Sequence, residues 1–220
     1  MKEVRIVKIT DTDYQFTENN VPYVYPRVTS IIKEFGINDL SKVPPDDLEK
    51  GRQLGSAVHS MIELYNKDFL NVDSLDVKLP PYLEGYKKFR AEVSWAKEFE
   101  STPHEQEVKL IVETEDPEND STGIFIYSHR WGFAGTLDDV FKPQIITDYK
   151  SGVLGKEGMK AAALQTAAYS IGYKELYRKS IKKRFTVHLK PGGYKIHEYN
   201  QEKDMYDFLA LMTVHHLKRK

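Results

Sequence analysis

Gly135-Thr136-Leu137-Asp138-Asp139-Val140-Phe141-Lys142-Pro143-Gln144-Ile145-Ile146-Thr147-Asp148-Tyr149-Lys150 reads as two strands joined by a turn centred on Pro143. In an antiparallel hairpin of that register, Asp138 stands opposite Asp148. Opposed residues on one face have Cβ atoms about 4.5–5.5 Å apart. Lys150 lies two residues beyond Asp148, so the two-residue period of a strand puts it on the same face. Two carboxylates facing each other repel, and strands disfavour Asp. A divalent cation between them removes the conflict, and hard oxygen ligands suit Mg²⁺ or Mn²⁺. Such an ion polarises a phosphoryl oxygen and acidifies bound water. Lys150 then orients or deprotonates the attacking water, or stabilises developing charge. Against this stands the plain reading of Asp-x-Lys as a surface salt bridge.

Outward from the hairpin, the texture divides at Pro103. Upstream, residues 4–9 and 13–16 alternate as a short hairpin, and Glu18-Asn19-Asn20 forms a further turn. Ile31-Ile32-Lys33-Glu34-Phe35 predicts a short helix, capped by Thr29 or Ser30 and ended by Gly36. Pro44-Pro45-Asp46-Asp47 opens a longer helix with apolar residues from Leu48 to Tyr65 at spacings of three and four. Another starts at Pro80-Pro81 and carries Tyr82, Leu83, Tyr86, Phe89, Val93 and Phe99. Downstream, strands are expected over 105–112, 124–128, 133–141 and 145–149, with an exposed acidic excursion from Glu113 to Asp120. A helix over 158–177, strands over 184–189 and 194–199 about Pro191-Gly192-Gly193, and a helix over 202–217 complete the chain. Helices, a strand meander, then a helix and more strands indicate α/β with a central mixed sheet.

With 220 residues the chain suits a single domain spanning 1–220. A chain of that length buries roughly 70% of its unfolded surface and folds without staples. There is no cysteine, which excludes disulfides, Cys-ligated zinc, iron–sulfur clusters and thiol catalysis, and fits a reducing compartment. The charged start Met1-Lys2-Glu3-Val4-Arg5 leads into no apolar run, and no stretch reaches the roughly 20 apolar residues of a membrane span. No membrane partner and a cytoplasmic location are therefore expected. A net charge of −1 gives no global pull on nucleic acid. One local cluster does: Lys174, Arg178, Lys179, Lys182, Lys183, Arg184, Lys190 and Lys195, with Glu175 as the one acid among them.

Gly135-Thr136-Leu137-Asp138 followed by Asp148-Tyr149-Lys150-Ser151-Gly152 resembles the core of the PD-(D/E)xK nucleases, closest to their RecB-like and phage exonuclease branch. The name-giving proline is replaced by Leu137, as is ordinary in that branch. The resemblance implies a restriction-endonuclease-like three-layer fold, a central mixed β-sheet flanked by helices. It implies that Asp138 and Asp148 bind Mg²⁺ or Mn²⁺ together with the Tyr149 backbone carbonyl, and that Lys150 serves the water. Gln165-Thr166-Ala167-Ala168-Tyr169 resembles the branch's Q-x-x-x-Y element. Its spacing of four puts Gln165 and Tyr169 on one helix face, where the family contacts DNA. Gly55-Ser56-Ala57-Val58-His59 resembles its G-x-x-x-H helix, which implies His59 as a ligand with Glu63 behind it. Tyr25-Pro26-Arg27-Val28-Thr29-Ser30-Ile31-Ile32 is similar to the opening of phage nucleases and the mitochondrial genome maintenance exonuclease, with Arg27 in place of serine. The family's remaining acid falls on Glu105 or Glu107, with Glu107 favoured.

DNA is the implied partner, contacted by Gln165, Tyr169, Lys182, Lys183 and Arg184, with a homo-oligomer or a single-strand-annealing protein as further partners. The implied activity is exonucleolytic cleavage of DNA in repair, recombination or phage DNA processing. Two other readings stand beside it: a non-cleaving recombination accessory protein on the same fold, and a hydrolase of small phosphoesters using His59 and Glu63 as its principal ligands. No Walker A motif is present, so any helicase is a separate protein.

Overall fold

Alternation and helical spacing become fifteen main elements in a computed structural model that describes residues 2–99, 108–112 and 123–219, the backbone alone for 108–112. Glu105, Glu107 and the acidic stretch 113–120 lie outside the described residues. The chain opens with strands β1 (Lys2–Ile9), β2 (Asp13–Glu18) and β3 (Val21–Pro26). Helices α1 (Val28–Glu34), α2 (Pro45–Asn66) and α3 (Pro80–Glu92) follow. Then come β4 (Val108–Val112), β5 (Ile124–Ser128), β6 (Phe133–Leu137), β7 (Asp139–Phe141) and β8 (Ile145–Lys150). Helix α4 (Lys156–Tyr177), strands β9 (Lys183–Lys190) and β10 (Gly193–Tyr199) and helix α5 (Lys203–Lys218) close the chain.

The architecture is mixed α/β, but the described strands do not share the single central sheet expected. They form a sheet β3-β2-β1-β4, a second sheet β10-β9-β8-β7, and the pair β5-β6. β1 with β4 and β8 with β9 run parallel, and the other neighbours run antiparallel. The cause lies at Asp138. The strand expected over 133–141 breaks there, so that β6 pairs with β5 while β7 pairs with β8.

Two apolar cores result. β8 alternates between them, as a strand buried on both faces must. Ile146 joins Leu164 and Ala168 of α4 in one cluster. Ile145 and Tyr149 join Val58, Met61 and Ile62 of α2 and Tyr86 and Phe89 of α3 in the other. Helix α1 ends where Gly36 takes a φ of 68°, the left-handed conformation glycine tolerates. Its N-cap is Arg27 rather than Thr29 or Ser30, without a side-chain cap. The helix opened at Pro80 stops at Glu92 instead of running to Phe99, because Val93 is extended. That break lets Trp95 stack on Phe185 at 4.6 Å and Phe99 on Phe141 at 4.9 Å, contacts one helical face cannot make together. Gly85 lets α3 meet the β9–β10 turn, since a Cβ there would sit 2.4 Å from the Gly193 carbonyl oxygen.

Candidate active site

The β7–β8 ladder pairs Asp139 with Thr147, Val140 with Ile146 and Phe141 with Ile145. Asp138 is thus the residue across from Asp148, at the point where the ladder ends. Its carboxylate supplies what the broken backbone no longer does: Oδ2 accepts the Tyr149 N–H at 2.6 Å. Oδ1 accepts the Nδ1–H of His59, from α2, at 3.0 Å. That hydrogen bond selects the imidazole tautomer that keeps the Nε2 lone pair available.

Asp148 is 3% exposed at the side chain, and Lys150 is 32% exposed beside it. The Lys150 ammonium donates to Asp148 Oδ1 at 3.0 Å and to Gln165 Oε1 at 3.2 Å. Gln165 in turn donates to the Tyr169 hydroxyl at 2.7 Å. Asp148 Oδ2 lies 2.9 Å from the same ammonium, yet it receives no hydrogen bond of good direction. Gly135 belongs to this packing as well. A Cβ on it would stand 2.7 Å from Tyr169 Cε1 and 3.4 Å from Val28 Cγ2, so the glycine lets the tyrosine ring lie against β6.

Electrostatics divide the two acids. Burial pushes the Asp148 pKa up and the Asp138 charge adds to the rise, against the pull of Lys150. Burial also works against ionised Asp138, but His59, Lys150 and the Tyr149 N–H outweigh it and hold that carboxyl below its ordinary value. For His59 and Lys150, burial disfavours the cation, and the two carboxylates overcome it and raise both pKa values. In this arrangement the Lys150 ammonium is held by the carboxylate beside it.

The sequence expectations meet this geometry unevenly. Asp138, Asp148, Lys150, His59, Gln165 and Tyr169 come together. Tyr169, however, is 4% exposed and its hydroxyl is taken by Gln165, so its packing leaves little of it for direct contact with DNA. Glu63 forms an ion pair with Lys67 along α2 and makes no contact with Asp138 among the described hydrogen bonds and ion pairs. Arg184 is a correction of the same kind: it is buried, paired with Asp204 at 2.7 Å, and donates to the carbonyls of Ala163 and Gln201. It ties β9 to α4 and to the start of α5, and is no part of a DNA-facing surface. Lys182 and Lys183 are exposed, and Lys183 lies 3.3 Å from Glu198.

Several residues at the site escape sequence reasoning. Asp139 accepts from the Tyr149 hydroxyl at 2.7 Å, and burial pushes its carboxyl up to about 7. Asn66, Tyr86 and Arg90 surround it on the α2–α3 side. Tyr199 on β10 feels the charges of Asp148 and Lys150, and burial raises its hydroxyl. The only signal that could have found Asn66 is its position seven residues, two helical turns, after His59.

Asp138, Asp148 and His59 supply hard oxygen and nitrogen donors of the kind Mg²⁺ and Mn²⁺ take. Asp148 Oδ2 is buried and takes no directed hydrogen bond, although the Lys150 ammonium stands 2.9 Å away, so it has capacity for a further partner. Both Asp138 oxygens are engaged by His59 and Tyr149. Among the described residues no group of three or more His, Asp or Glu side chains already closes on one point. The donors fit such an ion in their chemistry, while Asp138 is turned to His59 and Tyr149 in this arrangement.

No protein-family model matches the chain, and no curated protein matches it. Among solved structures, the chain is similar to a crystal structure of a candidate exonuclease from Eubacterium rectale, with 10% identity and a TM-score of 0.45. That likeness covers 74% of this chain and 65% of the other, so the chain spans less than two-thirds of that protein. The crystal structure of SSO0001 matches with 16% identity and a TM-score of 0.30, over 45% of this chain and 50% of the other. Likenesses this distant assign no activity, and the functional reading rests on the residues themselves.

Proposed function

We propose that the chain is a Mg²⁺- or Mn²⁺-dependent deoxyribonuclease of the PD-(D/E)xK type, an exonuclease of DNA repair, recombination or phage DNA processing, on a three-layer restriction-endonuclease-like fold. One observation carries the reading. A strand break at Asp138 brings its carboxylate, held by His59, to the ladder position across from buried Asp148, whose partner is Lys150. A fold gains nothing from opposing two acids, one with an orphaned oxygen, unless the site has work for them. Helices on the two faces of β8 support the layered architecture.

Asp138, Asp148 and His59 Nε2 would hold the cation, with the Tyr149 carbonyl as a further ligand. The bound ion supplies Lewis acidity at the scissile phosphate and an acidified water. Lys150 contributes a fixed ammonium within reach of the same space, placed to orient a nucleophile or neutralise phosphate charge. Gln165, itself bonded to the Tyr169 hydroxyl, holds that ammonium in place.

The test is incubation of end-labelled single- and double-stranded DNA with the protein in Mg²⁺, Mn²⁺ or EDTA. The expected result is metal-dependent release of nucleotides from chain ends, abolished by EDTA. DNA left intact in both metals, with binding retained, would favour the accessory-protein reading.

A further inference from the structure

Helix α2 carries the histidine of the site, yet of its 22 residues only Val58, Met61 and Ile62 are buried. Leu54, Ala57 and Tyr65 pack half-buried beside them, so the apolar stripe sets which face of the helix meets the core. The helix must hold His59 to within a few tenths of an ångström if a 3.0 Å hydrogen bond to Asp138 is to persist. Its last residue provides a second anchor. Asn66 lies seven residues after His59, two turns along the same face. Its Oδ1 accepts from the Tyr86 hydroxyl at 2.7 Å and from Arg90 at 3.2 Å, both on α3. Arg90 also donates to the Tyr86 hydroxyl at 3.0 Å. The Asn66 amide points back at the hairpin, 3.5 Å from Asp139 Oδ2, the outer limit of a hydrogen bond. That same oxygen takes the Tyr149 hydroxyl at 2.7 Å.

Two residues of one helix, two turns apart, thus engage two consecutive aspartates of the hairpin. Consecutive residues of an unbroken strand point to opposite faces. The break at Asp138 is what lets both reach α2. Tyr149 closes the circuit from inside the hairpin: its N–H holds Asp138 and its hydroxyl holds Asp139. Its ring stands edge-on to Tyr86 at 5.5 Å.

We infer that Asn66 is a positioning residue, bolted to α3 by Tyr86 and Arg90, which sets the register of α2 on the hairpin and so places His59 on Asp138. The consequence for metal affinity rests on the nuclease reading; the placement of His59 does not. Partners standing behind metal ligands typically tune affinity by about 10- to 100-fold. Asn66 acts one step further away, and a loss of about three- to ten-fold is expected.

The primary measurement is ¹⁵N NMR of the His59 imidazole in the metal-free protein, which reports whether Nδ1 carries the proton and is hydrogen-bonded. At a pH where the imidazole is neutral, wild type should show a single Nδ1–H form. Asn66→Ala should show an averaged imidazole, and Tyr86→Phe, which removes one of the two α3 bonds, a smaller change in the same direction. Met212→Ala, in the other core and fully buried, is destabilised by truncation alone and should leave the His59 signal as in wild type. A merely structural Asn66 would behave like Met212. Mn²⁺ affinity by electron paramagnetic resonance should weaken by that three- to ten-fold for Asn66→Ala and stay unchanged for Met212→Ala. A His59 signal unaltered in folded Asn66→Ala overturns the inference. If that variant does not fold, an unaltered signal in Tyr86→Phe overturns it instead. A wild-type protein that binds no Mn²⁺ refutes the nuclease reading, while the imidazole comparison still decides the role of Asn66.

Discussion

Half-buried Glu18 and buried Asp148 are both strand carboxylates at the edge of a core, and the structure treats them oppositely. Glu18, 11% exposed at its side chain, is met on both oxygens. Lys2 lies 2.6 Å away, the His129 imidazole 2.6 Å, and the Tyr127 hydroxyl donates at 2.8 Å. Burial opposes its ionisation, but these donors win and lower its pKa to about 2. Asp148 is more deeply buried, has one cation, faces Asp138 by register and keeps an oxygen without a hydrogen bond. Its pKa moves up. The first arrangement stabilises the fold on its own. The second pairs one carboxylate with one ammonium while a second acid stands opposite, which suits the proposed role in chemistry better than it suits stability.

The strongest way to break the contrast is to remove one charge from each cluster. Asp148→Asn should cut cleavage at least about a hundred-fold, the scale of losing one preorganised electrostatic group from a reaction centre. Its melting temperature should stay level or rise, because an acid opposed to Asp138 has gone. Glu18→Gln should do the reverse, keeping cleavage while losing stability. End-labelled DNA assays and thermal melts of both variants check this. An Asp148→Asn protein that cuts at the wild-type rate sinks the proposed site.

A smaller effect sharpens the same comparison through pH. The Glu18 pKa is lowered on folding, so its contribution is fully present above about pH 4.5 and is lost as pH falls toward about 2. By linkage that loss is at most about 3 kcal/mol. Wild type should therefore lose more stability than Glu18→Gln between pH 5 and pH 2.5, as read from urea midpoints. Parallel curves for the two proteins would show that Glu18 is not held by its donors.

How much of this was legible in the sequence depends on where the deciding interaction lies. The hairpin register, α2 and α4 could be read, because each rests on local periodicity, while His59 was pointed to by the resemblance of its helix to the G-x-x-x-H element. The break at Asp138 could not. It depends on a side chain replacing a backbone acceptor for Tyr149, and no pattern of apolar residues records that. Strand β3 went unread because Val21-Pro22-Tyr23-Val24-Tyr25-Pro26 contains two prolines, which argue against a central strand; it lies at a sheet edge, where proline is tolerated. Arg184 looked like one more charge in a basic run. Its burial is decided by Asp204, twenty residues away in sequence, and by the carbonyl of Ala163 on α4. Asn66 is the extreme case, since its partners come from α3 and from the hairpin.

The smallest expected effect concerns how DNA is held outside the site. With Arg184 committed to the fold, the basic cluster reduces to more exposed side chains, among them Lys182 and Lys183 where the chain enters β9. Lys183 already has Glu198 at 3.3 Å, so part of its charge is spent within the protein. Each phosphate contact by a lysine contributes about 0.9 to the log–log salt slope on duplex DNA and about 0.7 on single strands. Lys182→Ala with Lys183→Ala should therefore flatten the slope by between one and two such contacts, nearer to one. Affinity should weaken modestly at low salt and converge on wild type at high salt. Cleavage at saturating DNA should be unchanged, because neither lysine touches Asp138, Asp148 or Lys150. Binding measured across a salt series, with Ca²⁺ replacing Mg²⁺ to suppress cutting, makes the comparison. Coincident curves for the double variant and wild type would mean that DNA leaves the site by another face, and that this run of charge serves only to solvate the turn before β9.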